Sequence, residues 1–163
     1  DVRVVKLQGE GAFYQKIGGL VTTFRKQYDV HAIITLVDLH PTTRFSTVQA
    51  KQQAVQLALP EKARPLLHAH VAVHDIEAWM LADHHALAHY LKTTSIAMHH
   101  EPESINTGTP PKQHIQRLFK KYGRSYRETV DSSALLGMIN PDLVAKMCPH
   151  FAAFRETFRA FVK

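Results

Sequence analysis

Two hydrophobic periods alternate along this chain. Val2-Arg3-Val4-Val5-Lys6-Leu7 is rich in β-branched residues and reads as a strand. Gln8-Gly9-Glu10-Gly11 breaks it, and over residues 13–28 the period becomes helical, with Ile17, Leu20, Val21 and Phe24 on one stripe. Residues 32–37 form a continuous apolar run, too apolar for a half-exposed strand, and Asp38 ends it. Strand, helix and strand make a βαβ unit whose crossover is expected to be right-handed. His40-Pro41-Thr42-Thr43-Arg44 reads as a loop, because Pro41 lacks a backbone donor and disfavours helix at His40.

Ser46 can cap a second helix over residues 47–59, which Pro60 ends. The apolar run 69–73 is then a third parallel strand, giving β-α-β-α-β in the first half. After Asp83 helical patterns take over, and Asp83 can cap the next helix. Residues 93–111 form a loop with three prolines and one glycine. A short basic amphipathic helix follows over 111–122. Asn140-Pro141 is a cap followed by proline at the first helical position. In the last helix Phe151, Phe154, Phe158 and Phe161 recur at helical spacing, a stripe that core packing explains. The expectation is one α/β domain over 1–163, with an α/β core at 1–83 and a mainly helical extension at 84–163.

Composition narrows the field. An apolar fraction of 45% suits a globular chain, and no apolar run approaches the roughly 20 residues that span a bilayer. No signal peptide is visible, and a first residue of Asp rather than Met leaves room for an amino terminus upstream. A single cysteine, Cys148, excludes an intrachain disulfide and a cysteine-based zinc site, which fits a cytoplasmic protein. The net charge of +6 either favours a polyanionic partner such as nucleic acid or simply keeps the surface soluble. Lys112, Arg117, Lys120, Lys121, Arg124 and Arg127 could track a phosphate backbone, or form a solvated helix face. No phosphate-cradling glycine loop and no nucleophile elbow is present.

The candidate chemistry gathers at strand ends, where α/β folds bind ligands. Asp38 closes an apolar strand, where an acid has no packing use, although it could cap a turn. After the third strand comes His74-Asp75-Ile76-Glu77-Ala78-Trp79-Met80-Leu81-Ala82-Asp83, crowding three acids into a strand end and helix start. Hard divalent cations such as Mg2+ or Mn2+ take oxygen ligands, so carboxylates converging from strand ends point to such an ion and to phosphodiester cleavage. Asp75 reads as a cap or helix-dipole partner. Glu77 is harder to dismiss, because Ile76, Trp79 and Met80 place its neighbours on a buried face. Asp83 is most simply a cap, and His74 a hydrogen-bonded half-buried histidine, a metal ligand or a partner of a liganding carboxylate. Glu10 follows the first strand and could complete a metal site or be an exposed turn acid. His85 and His89 have zinc-ligand spacing but lack the intervening acid of a metalloprotease.

Several of these segments together resemble a bacterial family catalogued as domain of unknown function 4276. The block 74–83 resembles its signature and Val37-Asp38 its earlier acidic motif. Pro102-Glu103-Ser104-Ile105-Asn106 followed by Pro111-Lys112 is similar to its central loop motif, and Cys148-Pro149-His150-Phe151 to its closing motif. The resemblance implies a Toprim-like fold, with a mostly parallel sheet flanked by helices and magnesium bound through strand-end acids. It also implies action on nucleic acid, and phage defence beside an AAA-type ATPase. On that resemblance Asp38 and Glu77 become metal-site acids with Asp83 and His74 in support, and Glu103, Asn106 and Lys112 become second-tier candidates. Two departures stand out. The glutamate-glycine pair usual after the first Toprim strand lies either before Asp1 or at Glu10-Gly11, and His40 replaces the second aspartate of the acidic motif, which weakens a two-metal mechanism.

The leading expectation is therefore a magnesium-dependent nuclease or nuclease-like effector. Asp38 and Glu77 would hold metal, and Glu10 or an upstream carboxylate would serve as general base. The contrasting class is a non-catalytic module that docks on an ATPase and regulates it, and a third is a histidine-based metal hydrolase.

Overall fold

The computed structural model describes residues 1–7, 9–39, 45–107 and 109–162. They form a mixed α/β chain with a small two-stranded parallel sheet flanked by helices. Two compact units divide it, one comprising Asp1–Val71 with Glu156–Lys163 and the other Ala72–Arg155.

In the first unit, helix α1 (Glu10–Gln27) leads to strand β1 (Ile33–Asp38), helix α2 (Val48–Ala58) and strand β2 (Leu67–Ala72). Gly9 precedes α1 at φ 79°, a left-handed conformation that glycine tolerates. Half of the predicted stripe of α1 is buried: Ile17 and Val21, with Phe13, join Val55, Leu59 and Ala63 in a core cluster, whereas Leu20 and Phe24 are only half-buried. Gly18 lets the helices of this unit meet closely, since a Cβ there would lie 3.0 Å from the Ala58 carbonyl oxygen. The cap of α2 is Thr47 rather than Ser46, its side chain accepting from the Ala50 N–H at 3.1 Å.

The expected first strand is not one. Val2 to Leu7 has no strand structure, and Val2, Val4 and Val5 are exposed. β-Branched composition makes a segment fit a pleated surface, but a strand also needs a neighbour for its backbone donors and acceptors. Among the described residues only β1 and β2 pair. The first half is thus α-β-α-β rather than β-α-β-α-β.

The second unit is helical: α3 (Glu77–Ala82), α4 (His84–Leu91), α5 (Pro111–Lys121), α6 (Glu128–Leu136), α7 (Pro141–Met147) and the first half of α8 (Pro149–Phe161). A short 3-10 helix, Pro102–Thr107, interrupts the long loop. Every residue of α3 is buried, because helices on several sides cover it. Met80, Leu81, Leu87, Ile115, Phe119 and Leu135 form the centre of this core. The phenylalanine stripe of α8 splits: Phe151 and Phe154 rings lie 4.9 and 5.9 Å from Trp79, whereas Phe158 and Phe161 are exposed.

Candidate functional site

In the second unit, the chain that has left β2 turns at His74 and Asp75 into α3. Asp75 is 3% exposed and Glu77 2%, so both carboxylates are buried. Burying charge is costly unless a partner offsets it. The Tyr126 hydroxyl donates to Glu77 Oε1 at 2.9 Å. Lys112, in the first turn of α5, donates from Nζ to Glu128 Oε2. Burial works against the Lys112 ammonium, but the hydrogen bond and charge of Glu128 and the charges of Glu77 and Asp75 outweigh it, so its pKa is raised. Burial and the adjacent Glu77 push the Tyr126 phenol far above its ordinary value. At neutral pH Lys112 is thus a fixed cation and Tyr126 a fixed donor, and neither is a base.

Asp83 is committed to the fold. Its Oδ1 accepts from the N–H groups of His85 and Ala86 at 3.1 and 3.0 Å, and its Oδ2 from the Asn140 N–H at 2.7 Å. It caps α4 and ties that helix to the start of α7. Glu103 does comparable work. Its Oε1 accepts from Trp79 Nε1 at 3.0 Å and from the Phe151 N–H at 3.4 Å, and its Oε2 from the His150 N–H at 3.1 Å. Three of the quoted motifs (the 74–83 block, the central loop and the closing segment) therefore meet at one carboxylate.

The chain belongs to the DUF4276 family. The family model, described as a domain of unknown function, matches residues 2–159. No curated protein and no solved structure matches. The joining of these three segments through Glu103 gives that residue a physical role that needs no substrate.

In the first unit, Asp38 ends β1, half-buried. Glu10, in the first turn of α1, is held by a lysine: Lys51 Nζ donates to Glu10 Oε1 at 2.6 Å, and Lys51 is only 1% exposed. The Tyr14 hydroxyl is buried and has no hydrogen-bond partner among the described residues. Burial first, and then the charge of Glu10, raises its pKa.

The remaining candidates scatter. His74 is half-buried, His40 lies outside the described residues, and so does the side chain of Asn106. His85 and His89 are exposed. Arg117, Lys120 and Lys121 stand on the exposed side of α5. Arg124 and Arg127 lie 3.8 and 3.6 Å from the buried Asp131 and so also serve the fold. Among the described residues no three His, Cys, Asp or Glu side chains are grouped to hold a metal ion. Sequence reasoning read Asp75 as a cap or helix-dipole partner without foreseeing its burial, and it did not single out Tyr126, Glu128 or Lys51. Lys51 carried a signal, since it stands four residues before the apolar Val55 on the inner face of α2.

Proposed function

We propose that this chain is a divalent-metal-dependent nuclease or nuclease-like effector with a Toprim-type core. What carries the reading is the pair of buried carboxylates, Asp75 and Glu77, beside the charged Lys112 just beyond the carboxyl end of a strand. The donor set suits magnesium or manganese, since both ligands are hard oxygens. Magnesium commonly takes only one or two protein carboxylates and completes its shell with water and phosphate oxygens. Such an ion supplies Lewis-acid charge at the phosphoryl group.

The chain's own residues do the rest. Tyr126 fixes the Glu77 carboxylate through its hydroxyl. Lys112 offers positive charge to a non-bridging phosphate oxygen as negative charge builds up there. Arg117, Lys120 and Lys121 give the backbone of a nucleic acid a basic face to follow. Asp38 is a separate candidate at the carboxyl end of β1, and its own variant reads its contribution. An ATPase partner and a role in phage defence belong to the same proposal.

The test is a titration of wild type, Asp75→Asn, Glu77→Gln and Asp38→Asn with magnesium and manganese, following melting temperature and plasmid nicking. Ion at 100 times its Kd is expected to stabilise wild type by about 2.7 kcal/mol. Asp75→Asn and Glu77→Gln are expected to lose both stabilisation and nicking. No metal response in wild type would sink the reading and favour the non-catalytic module.

A further inference from the structure

Outside the acid cluster, the second unit carries a cavity of about 430 Å³ between the segment that follows α4 and the end of α5. That size lies within the roughly 300–1,000 Å³ of small-molecule sites. Its polar lining is Thr93, Thr94, Ser95, His99, Lys121 and Tyr122, and no carboxylate belongs to it. Ile96 and Leu118 supply an apolar floor. Three consecutive hydroxyl side chains, one ammonium and one imidazole form a set rich in hydrogen-bond donors.

The segment is anchored. Lys92 ends α4 in the left-handed conformation at φ 56°, and the Thr93 N–H donates to the Ala88 carbonyl at 3.0 Å. The Tyr122 hydroxyl donates to the Ser95 carbonyl at 3.4 Å. The ring of the lining His99 lies 5.5 Å from that of His114. Burial and His114 hold His99 below its ordinary pKa, and burial and Arg117 do the same to His114. Both imidazoles are therefore neutral at neutral pH, and Lys121 is the cation of the lining.

We propose that this cavity binds the phosphate group of a nucleotide, either free or at the end of a nucleic-acid strand, with Lys121 as its ion partner and the 93–95 hydroxyls as donors. A terminal phosphate offers three oxygens and close to two negative charges, which matches a lysine and several hydroxyls lining one cavity. The choice of an oligonucleotide ligand rests on the nucleic-acid reading above, but the binding step needs no divalent ion.

The experiment measures binding of a short single-stranded oligonucleotide with and without a 5′-phosphate, and of AMP, in EDTA. EDTA removes the metal site from the result, so failure there and failure here are distinguishable. The phosphorylated strand is expected to bind at least fivefold more tightly than its unphosphorylated twin, with that preference lost in Lys121→Gln and reduced in Thr94→Val. AMP competing as well as the strand would identify the free nucleotide as the source, and weak AMP competition would identify the strand end. Equal affinity for the two strands would overturn the proposal. So would a Lys121→Gln variant that weakens both equally, since that is a general electrostatic effect. Lys121 is exposed, and its replacement leaves the core intact.

Discussion

Glu103→Ala tests whether the carboxylate at the meeting point of α3, the 102–107 turn and α8 acts through the fold. Glu103 is 8% exposed and accepts from Trp79 Nε1 and from the first N–H groups of α8. Truncation leaves the buried indole N–H without its acceptor, at about 1–3 kcal/mol. It also removes the helix cap, worth about 1 kcal/mol, and a favourable charge at the helix start, worth roughly 0.3–1 kcal/mol. The total of about 2–5 kcal/mol is a large share of a stability that is ordinarily about 5–15 kcal/mol. Glu103→Gln keeps one acceptor oxygen for Trp79 but turns an N–H donor toward an N–H donor at His150, for about 1–2 kcal/mol. Trp79 is the only tryptophan, so urea unfolding followed by its fluorescence reports this unit directly. Losses in the order Ala greater than Gln are expected. A Glu103→Ala loss under about 0.5 kcal/mol, against the 1–3 kcal/mol the buried indole alone demands, would refute the reasoning.

Further outcomes follow from the same geometry. Asp131 is 0% exposed, and although burial alone would raise its pKa, hydrogen bonds from Tyr90 and Arg127 hold it below the ordinary aspartate value. Its stabilisation is therefore complete above the unfolded-state pKa of about 4 and is lost as pH falls through the lower folded value. Between pH 5 and 3 the melting temperature of wild type is expected to fall more steeply than that of Asp131→Asn, and parallel curves would count against this. The Cys148 thiol is pushed up to about 12 by burial and then by Glu103, so a thiol reagent at pH 8 is expected to label it only in denaturant. Rapid labelling of the folded protein would contradict that. Asp83→Ala removes two N–H partners from α4 and one from α7, for an expected loss of about 2–3 kcal/mol by denaturant unfolding. Asp83→Asn, which keeps one oxygen, is expected to lose less.

Helices were legible in the sequence wherever a cap and a one-sided stripe agreed. Asn140 accepts from the Asp142 and Leu143 N–H groups, as its position before Pro141 indicates, and Asp83 caps α4 as expected. The strand at Val2 to Leu7 failed because composition reports propensity, whereas pairing depends on a neighbour distant in sequence. The α8 stripe was half right, because spacing shows that four rings share a face but not how far the covering surface extends. Lys112, Tyr126 and Glu77 stand far apart in the chain, and only the packing of α3, α5 and the segment before α6 brings them together.

The acids of this chain sort by what their oxygens do. Asp83 and Glu103 spend both oxygens on backbone or indole N–H groups, so the fold alone explains why a carboxylate stands there. Asp131 is explained by Tyr90 and by its arginine neighbours. Asp75 and Glu77 are of another kind, since their charges reach a lysine on a different helix that already has Glu128 as its direct partner. Their charges join Glu128 in holding the Lys112 ammonium against the cost of its burial, and Glu77 also accepts from the Tyr126 hydroxyl. Asp75 and Glu77 variants are therefore the ones that test the proposed metal site, since replacing Asp83 or Glu103 is expected to report loss of the fold instead.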